Sequence, residues 1–335
     1  MSHPRLSLAL QGADALPLSG RVLVLVPGAG TDLSELPVER TVIVQGFRPD
    51  HDALAAGGWT VVATVAEAAG EFAAAVVFLP RARGAARALV AEAARRVAPG
   101  GAIWIDGQKT DGIDTLLKDI RARTAVSAPT AKAHGKIFRF DAGPHFDDWR
   151  AADLHPAPGF VTRPGVFSAE KVDHGSALLA AALPDRLPAK VADLGAGWGW
   201  LAAAILARPG VEVLHLVEAD RIALDCARRN ITDPRAEFHW KDATRFRPDT
   251  RVDAVIMNPP FHSGRAAEPA LGVAFIAAAA AMLAPSGRLW MVANRHLPYE
   301  AVLARHFGEV AEIGGDGGFK LLNAARPVAV PRPRR

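Results

Sequence analysis

Along almost the whole chain, short apolar runs rich in β-branched residues alternate with alanine-rich runs of helical period. This is the pattern of an α/β fold built on a mostly parallel sheet. In the C-terminal half it predicts strands over Lys190–Leu194, Val213–Val217, Ala236–Trp240, Ala254–Met257 and Arg288–Val292. Helices are predicted between them over Trp200–Ala207, Arg221–Asn230 and Leu271–Leu283. From Val310 to Ala324 two apolar runs flank Gly-Gly-Asp-Gly-Gly, which predicts an antiparallel pair with a flexible connection.

The N-terminal half repeats this order. Ala91 to Ile105, with Ala-Pro-Gly-Gly inside it, parallels Ala277 to Met291, with Ala-Pro-Ser-Gly. The stretch ending Pro-Gly-Ala-Gly30 parallels the one ending Leu-Gly-Ala-Gly197, and Ala75 to Arg81 parallels Ala254 to Pro260. Agreement in both order and type predicts an internal duplication. Under this alignment Asp193, Glu218 and Asn258 become Val26, Gln45 and Leu79, so the first copy keeps its core and loses its polar site. Gly, Pro, Asp and His cluster without periodicity around Asp141–Pro158. The expected organisation is a degenerate domain at 1–145, a linker at 146–163, a catalytic domain at 164–326 and a basic tail at 327–335.

Composition narrows the function classes. The 335 residues suffice for two cores. The most lipid-like run, Ala270 to Ala284, is too short to span a bilayer, and the N-terminus lacks a signal-peptide core. One cysteine, Cys226, excludes an internal disulfide and a cysteine-rich zinc site, which fits a reducing cytoplasm. No two of the eleven histidines stand at a metal-ligand spacing along the chain, so no metal is expected. The pI is about 9.5, yet Lys+Arg against Asp+Glu is 17 to 16 over 1–150 and 22 to 19 over 151–335. Any nucleic-acid contact must therefore use local patches.

The chemistry concentrates at predicted strand ends, the edge where open sheets bind ligands. Asp193-Leu-Gly195-Ala196-Gly197-Trp-Gly199 follows a strand and opens a helix, but its third glycine comes one residue too early for a dinucleotide fingerprint. The spacing suits a nucleoside ligand without a pyrophosphate. Glu218, followed by Ala219, ends the next strand and is placed to accept from ribose hydroxyls. Asp242, followed by Ala243, ends the third and is placed to accept from an adenine amino group. Asn258-Pro259-Pro260-Phe261 is the sharpest motif. An aromatic exocyclic amine is a poor nucleophile because its lone pair is delocalised. The Asn258 side-chain carbonyl and the Pro259 backbone carbonyl can each accept one N–H, and Phe261 can stack on the base. His262 and Arg265 are candidate substrate contacts. Phe275, Met282 and Trp290 are expected to be packing. In the first half, Arg81, Arg83 and Arg87 form a candidate phosphate-docking cluster for RNA, with Arg83 and Arg87 on one helix face.

These motifs, with Pro164-Gly-Val-Phe-Ser168, Asp173-His-Gly-Ser176, Val292-Ala-Asn294, Leu297-Pro-Tyr299 and Gly318-Phe-Lys320, resemble the bacterial rRNA guanine-N2 methyltransferases of the type that modifies 16S rRNA. The resemblance implies two tandem class I, Rossmann-like methyltransferase domains with mostly parallel seven-stranded sheets and an antiparallel last strand, the N-terminal one degenerate. It implies S-adenosylmethionine (SAM) as cofactor, with Phe167, Ser168 and Asp173 near its methionine end, and ribosomal RNA or a ribosomal subunit as partner of a monomeric, cytoplasmic enzyme. The residues alone leave other planar amines open: a 23S rRNA guanine, adenine N6, cytosine N4 or a protein glutamine. A non-catalytic RNA-binding or assembly module also remains open.

Overall fold

The computed structural model describes residues 4–12, 15–260, 262–263, 266–267 and 269–328. They form two compact units, Met1–Leu154 with Arg163–Gly165, and His155–Thr162 with Val166–Arg335.

The first unit is one seven-stranded sheet of β1 (Val22–Leu25), β2 (Thr41–Val44), β3 (Thr60–Val62), β4 (Phe72–Phe78), β5 (Val97–Gln108), β6 (Thr130–Lys132) and β7 (Gly135–Asp141), in the order β3-β2-β1-β4-β5-β7-β6. Its helices are α1 (Pro4–Leu10), α2 (Arg48–Ala56), α3 (Arg83–Arg96) and α4 (Ile113–Arg121). All four residues of β1 and of β2 are buried, as expected of parallel strands covered on both faces.

The second unit contains α5 (His174–Ala182), β8 (Lys190–Leu194), α6 (Trp200–Leu206), β9 (Val213–Glu218), α7 (Arg221–Asn230), β10 (Ala236–Trp240) and β11 (Val252–Met257). It continues with a short pair, β12 (His262–Ser263) and β13 (Ala266–Ala267), then α8 (Pro269–Met282), β14 (Leu283–Asn294), α9 (Tyr299–His306), β15 (Phe307–Gly315) and β16 (Phe319–Pro327). Its sheet runs β10-β9-β8-β11-β14-β16-β15, antiparallel only where β16 pairs with β14 and β15. Phe275, Met282 and Trp290 are core residues. The β15–β16 connection differs from the expected flexible loop. The Asp316 carboxylate accepts from the Gly318 and Phe319 amides at 2.8 Å, and Arg295 reaches the Asp316 and Phe319 carbonyls.

The two sheets share connectivity and register. Leu25 pairs with Val44 and Val77 as Leu194 pairs with Val217 and Met257. Both sheets break register at the same place, between Phe72 and Ala74 opposite β5 and between Val252 and Ala254 opposite β14. The register corrects the residue equivalences. Val24, not Val26, occupies the place of Asp193, and Phe78, not Leu79, that of Asn258. The second displacement comes from matching Leu79-Pro80 to Asn258-Pro259, and the first arises because the Gly-Ala-Gly triplet lies two residues further from its strand in the first unit. There the Val26 amide makes the bond to Val44 O that the Gly195 amide makes to Val217 O. Gln45 does stand for Glu218. Its Oε1 accepts from the Phe47 amide at 2.8 Å and its Nε2 donates to Pro27 O at 2.7 Å, so the amide closes its own loop.

One further expectation changes. Residues 146–154, read as linker, pack into the first unit, where Phe146 and Trp149 are buried at a ring separation of 5.0 Å. The arginine cluster is held within that unit by carboxylates. Arg83 and Arg87 do share a face, and both bind Asp119 of α4, at 3.0 and 2.9 Å. Arg81 lies 3.6 Å from Asp111. The Arg87 guanidinium also covers the Trp149 ring at 5.0 Å, so Arg83 and Arg87 tie α3 to α4 and Arg87 packs on Trp149. Replacing Trp149 with alanine empties this aromatic site and is expected to cost ~3–5 kcal/mol in chemical denaturation. A loss below ~1 kcal/mol would place 146–154 outside the core.

Candidate active site

β8 carries a carboxylate where a core strand would ordinarily carry valine. Asp193 is fully buried, and neither of its carboxylate oxygens has a hydrogen-bond partner. Burial, reinforced by Glu218, pushes its carboxyl up to about 8. An orphaned buried acid is costly, and its presence fits a ligand that brings its own N–H donors or positive charge. Glu218 ends the neighbouring β9. Its Oε2 accepts from the Gly197 amide at 2.8 Å and its Oε1 from the Asp220 amide at 2.7 Å, which fixes the carboxyl against the glycine loop. Burial pushes it up to about 7 despite these bonds.

The loop between β8 and α6 needs its glycines for two different reasons. Gly197, at φ +56°, has nothing within 4 Å of where a Cβ would stand, which leaves the space beside it open to a ligand. Gly199, at φ +89°, caps α6, and a Cβ there would meet Ile231 and Ala227 at 3.1 and 3.3 Å. The early third glycine therefore serves close packing of α6 on α7.

The segment before α5 is stapled over this loop. The Val161 amide and carbonyl bond the Asn230 side chain at 2.8 and 2.9 Å. Thr162 Oγ1 donates to Ala169 O, and buried Trp198 donates its Nε1–H to Phe167 O at 3.1 Å. Ser168 is thereby held at φ +51°, an uncommon conformation for a residue with a side chain. Phe167 stays 65% exposed, a large aromatic ring presented rather than packed.

Asn258 follows β11 directly. Its Nδ2 donates to Asp173 Oδ2 and to Ser176 Oγ, each at 2.8 Å. Asp173 is also the N-cap of α5, accepting from the Ser176 amide at 2.8 Å. Both amide hydrogens of Asn258 are thus committed, and its carbonyl oxygen is the group left for a ligand.

An open cleft brings Phe167, Ser168, Asp173, Gly195, Ala196, Gly197 and Asn258 together. Ser176, Trp198, Trp200 and Leu201 line it as well, and sequence reasoning had given them no site role. Ser176 carries a signal in retrospect, since Asp-His-Gly-Ser is a helix-capping sequence whose third residue after the cap faces back to it. Asp193, Glu218, Ala219, Asp242 and Ala243 are not among the lining residues; Glu218 meets the cleft only through its bond to the Gly197 amide. Asp242 Oδ1 instead caps its own turn through the Thr244 amide and hydroxyl, at 2.9 and 2.7 Å. Pro259 is buried and Pro260 exposed. Phe261 and Arg265 lie outside the described residues, and of His262 only the backbone strand is described. His215 Nδ1 and His239 Nε2, 24 residues apart in the chain, lie 3.1 Å from one another because β10 runs beside β9, a proximity that spacing along the chain does not show.

The pH dependence of Asp193 has a definite sign. Folded, the carboxyl holds its proton up to about 8; unfolded, it releases it near ~4. Stability of the ligand-free protein therefore falls as pH rises across that interval. Asp193→Asn removes the penalty, so its Tm advantage over the parent should grow between pH 5 and pH 8 while SAM binding is lost in calorimetry. An advantage that stays flat with pH, or retained SAM binding, would contradict this reading of Asp193.

Comparison with known proteins agrees with this geometry. A family described as the methyltransferase small domain matches residues 158–323. The ribosomal RNA small subunit methyltransferase C of Stutzerimonas stutzeri is 33% identical over 78% of this chain and 82% of its own length. That of Hahella chejuensis is 28% identical over 92% and 95%. The solved structure of the T. thermophilus 16S rRNA N2 G1207 methyltransferase, in complex with AdoMet and guanosine, matches with a TM-score of 0.81 at 26% identity, over 96% of this chain and 92% of that one. With 33% identity to the Stutzerimonas stutzeri relative over most of both chains, and a match to the T. thermophilus structure that takes in both units, the chain belongs to the ribosomal RNA small subunit methyltransferase C family.

Proposed function

We propose that this protein transfers the methyl group of SAM to the exocyclic N2 amine of a guanine in 16S ribosomal RNA. The observation that carries the reading is the double anchoring of the Asn258 amide by Asp173 and Ser176. It presents a carbonyl acceptor of fixed orientation at the mouth of a nucleoside-type loop. The names of the curated relatives, and the AdoMet and guanosine in the T. thermophilus complex, support SAM as cofactor and guanine as acceptor.

The residues fit the cofactor. Asp193 offers two unpartnered oxygens for its amino group, Gly195 to Gly197 a backbone surface without side-chain obstruction, and Glu218 a carboxyl already braced by the loop. When bound, SAM supplies an electrophilic methyl on a sulfonium, itself an excellent leaving group. The chain's task is then alignment. Asn258 Oδ1 and the Pro259 carbonyl accept the two N–H bonds of the guanine amine, which disfavours delocalisation into the ring and frees the nitrogen lone pair. Because Asp173 and Ser176 fix the amide beforehand, the acceptor needs no reorganisation during the reaction. Phe167 and Trp200 present ring surface around the same cleft.

Labelled methyl transfer onto 30S subunits, 50S subunits, naked DNA and release factors, followed by nucleoside or amino-acid digestion, tests the assignment. The label is expected in N2-methylguanosine of 16S rRNA. Label in 6-methyladenine, 4-methylcytosine or methylglutamine would overturn the acceptor, and label in 23S rRNA would overturn the subunit.

A further inference from the structure

The second unit holds a cluster of side chains that the methyl-transfer reading leaves unused. His215 on β9 and Glu237 on β10 are direct register partners, so they project from the same face of the sheet. His239 lies two residues beyond Glu237 on β10 and shares that face. The three donor atoms converge. His215 Nδ1 is 3.0 Å and His239 Nε2 3.8 Å from Glu237 Oε2, and the two nitrogens are 3.1 Å apart.

We propose that His215, Glu237 and His239 form a binding site for a first-row divalent metal ion, of which Zn2+ is the reference case.

The distances themselves make the case. Three points with these separations lie on a circle of radius about 2.0 Å, the bond length of zinc to imidazole nitrogen and carboxylate oxygen. An ion near the circle's centre reaches all three donors without rearrangement, and two imidazoles with one carboxylate are a donor set suited to such ions. Solvation matches the same use. The His215 and His239 rings lie against Phe246, with centroids 6.0 and 4.7 Å away, while Glu237 is half exposed and leaves the outer side open to water ligands.

The position gives the ion a structural role. β10 is the edge strand of the sheet, and β9 and β10 run on to Glu218 and Asp242, each three residues past a histidine of the cluster. A shared ion would clamp the edge strand to its neighbour beneath the loops that carry those acids.

Chelator-stripped full-length protein titrated with Co2+, a spectroscopic substitute for Zn2+, provides the test. One Co2+ per chain should bind with visible d–d absorption, and Zn2+ should displace it and raise Tm. Glu237→Gln, at a half-exposed position that leaves the fold intact, should weaken Co2+ at least ~10-fold and abolish the zinc-dependent Tm rise. His239→Ala should remove the absorption. No absorption in the parent protein overturns the proposal. So does equal affinity in the parent, Glu237→Gln and His239→Ala, which would place the ion elsewhere.

Discussion

The hydrogen bonds that hold the Asn258 amide are the constraint around which the second unit is organised. An asparagine side chain free to rotate presents donors and an acceptor interchangeably, and would be of little use against an amine. Here Asp173 and Ser176 take both donors. Asp173 can do so because it caps α5, and Ser176 because it sits three residues into the same cap. The position of α5 thus decides the direction of an acceptor at the end of β11. Elements distant in sequence are coupled through one side chain: 173 and 176 before the first strand, 258 after the fourth.

A second constraint is electrostatic. Asp193 and Glu218 end neighbouring strands, and burial raises both. Glu218 is partly compensated by two backbone amides, whereas Asp193 has no bond to either oxygen. The first unit shows what happens when this requirement is dropped. Val24 fills the place of Asp193 and Phe78 that of Asn258, both buried, and Gln45 turns its amide inward to Pro27. At these positions the first sheet puts apolar packing in place of the polar groups.

Much of this was legible in the sequence, and the failures have physical causes. Strand cores and the order of elements were readable because β-branched runs and alanine-rich helices differ in period. β8, β10 and α7 match the predicted bounds residue for residue. Loop lengths were not readable, so matching glycine triplets displaced the equivalence of Asp193 by two positions, and matching Leu79-Pro80 to Asn258-Pro259 displaced that of Asn258 by one. Pairings across strands were invisible too: Glu237 faces His215 only because β10 lies beside β9 in this register. The same blindness hid the pairing of Arg83 and Arg87 with Asp119, more than thirty residues away. Asp242 was read correctly as a strand-end acid but not as the cap of its own turn.

The central claim is that the anchored carbonyl of Asn258 acts on the acceptor amine rather than on the fold or the cofactor. Single-turnover methyl transfer by Asn258→Ala, read beside calorimetric SAM affinity, measures this most directly. Losing one preorganised transition-state hydrogen bond predicts a rate lower by ~10²–10³, with SAM affinity changed far less. A transfer rate near that of the parent protein, or a loss of SAM affinity as large as the loss of rate, would contradict it.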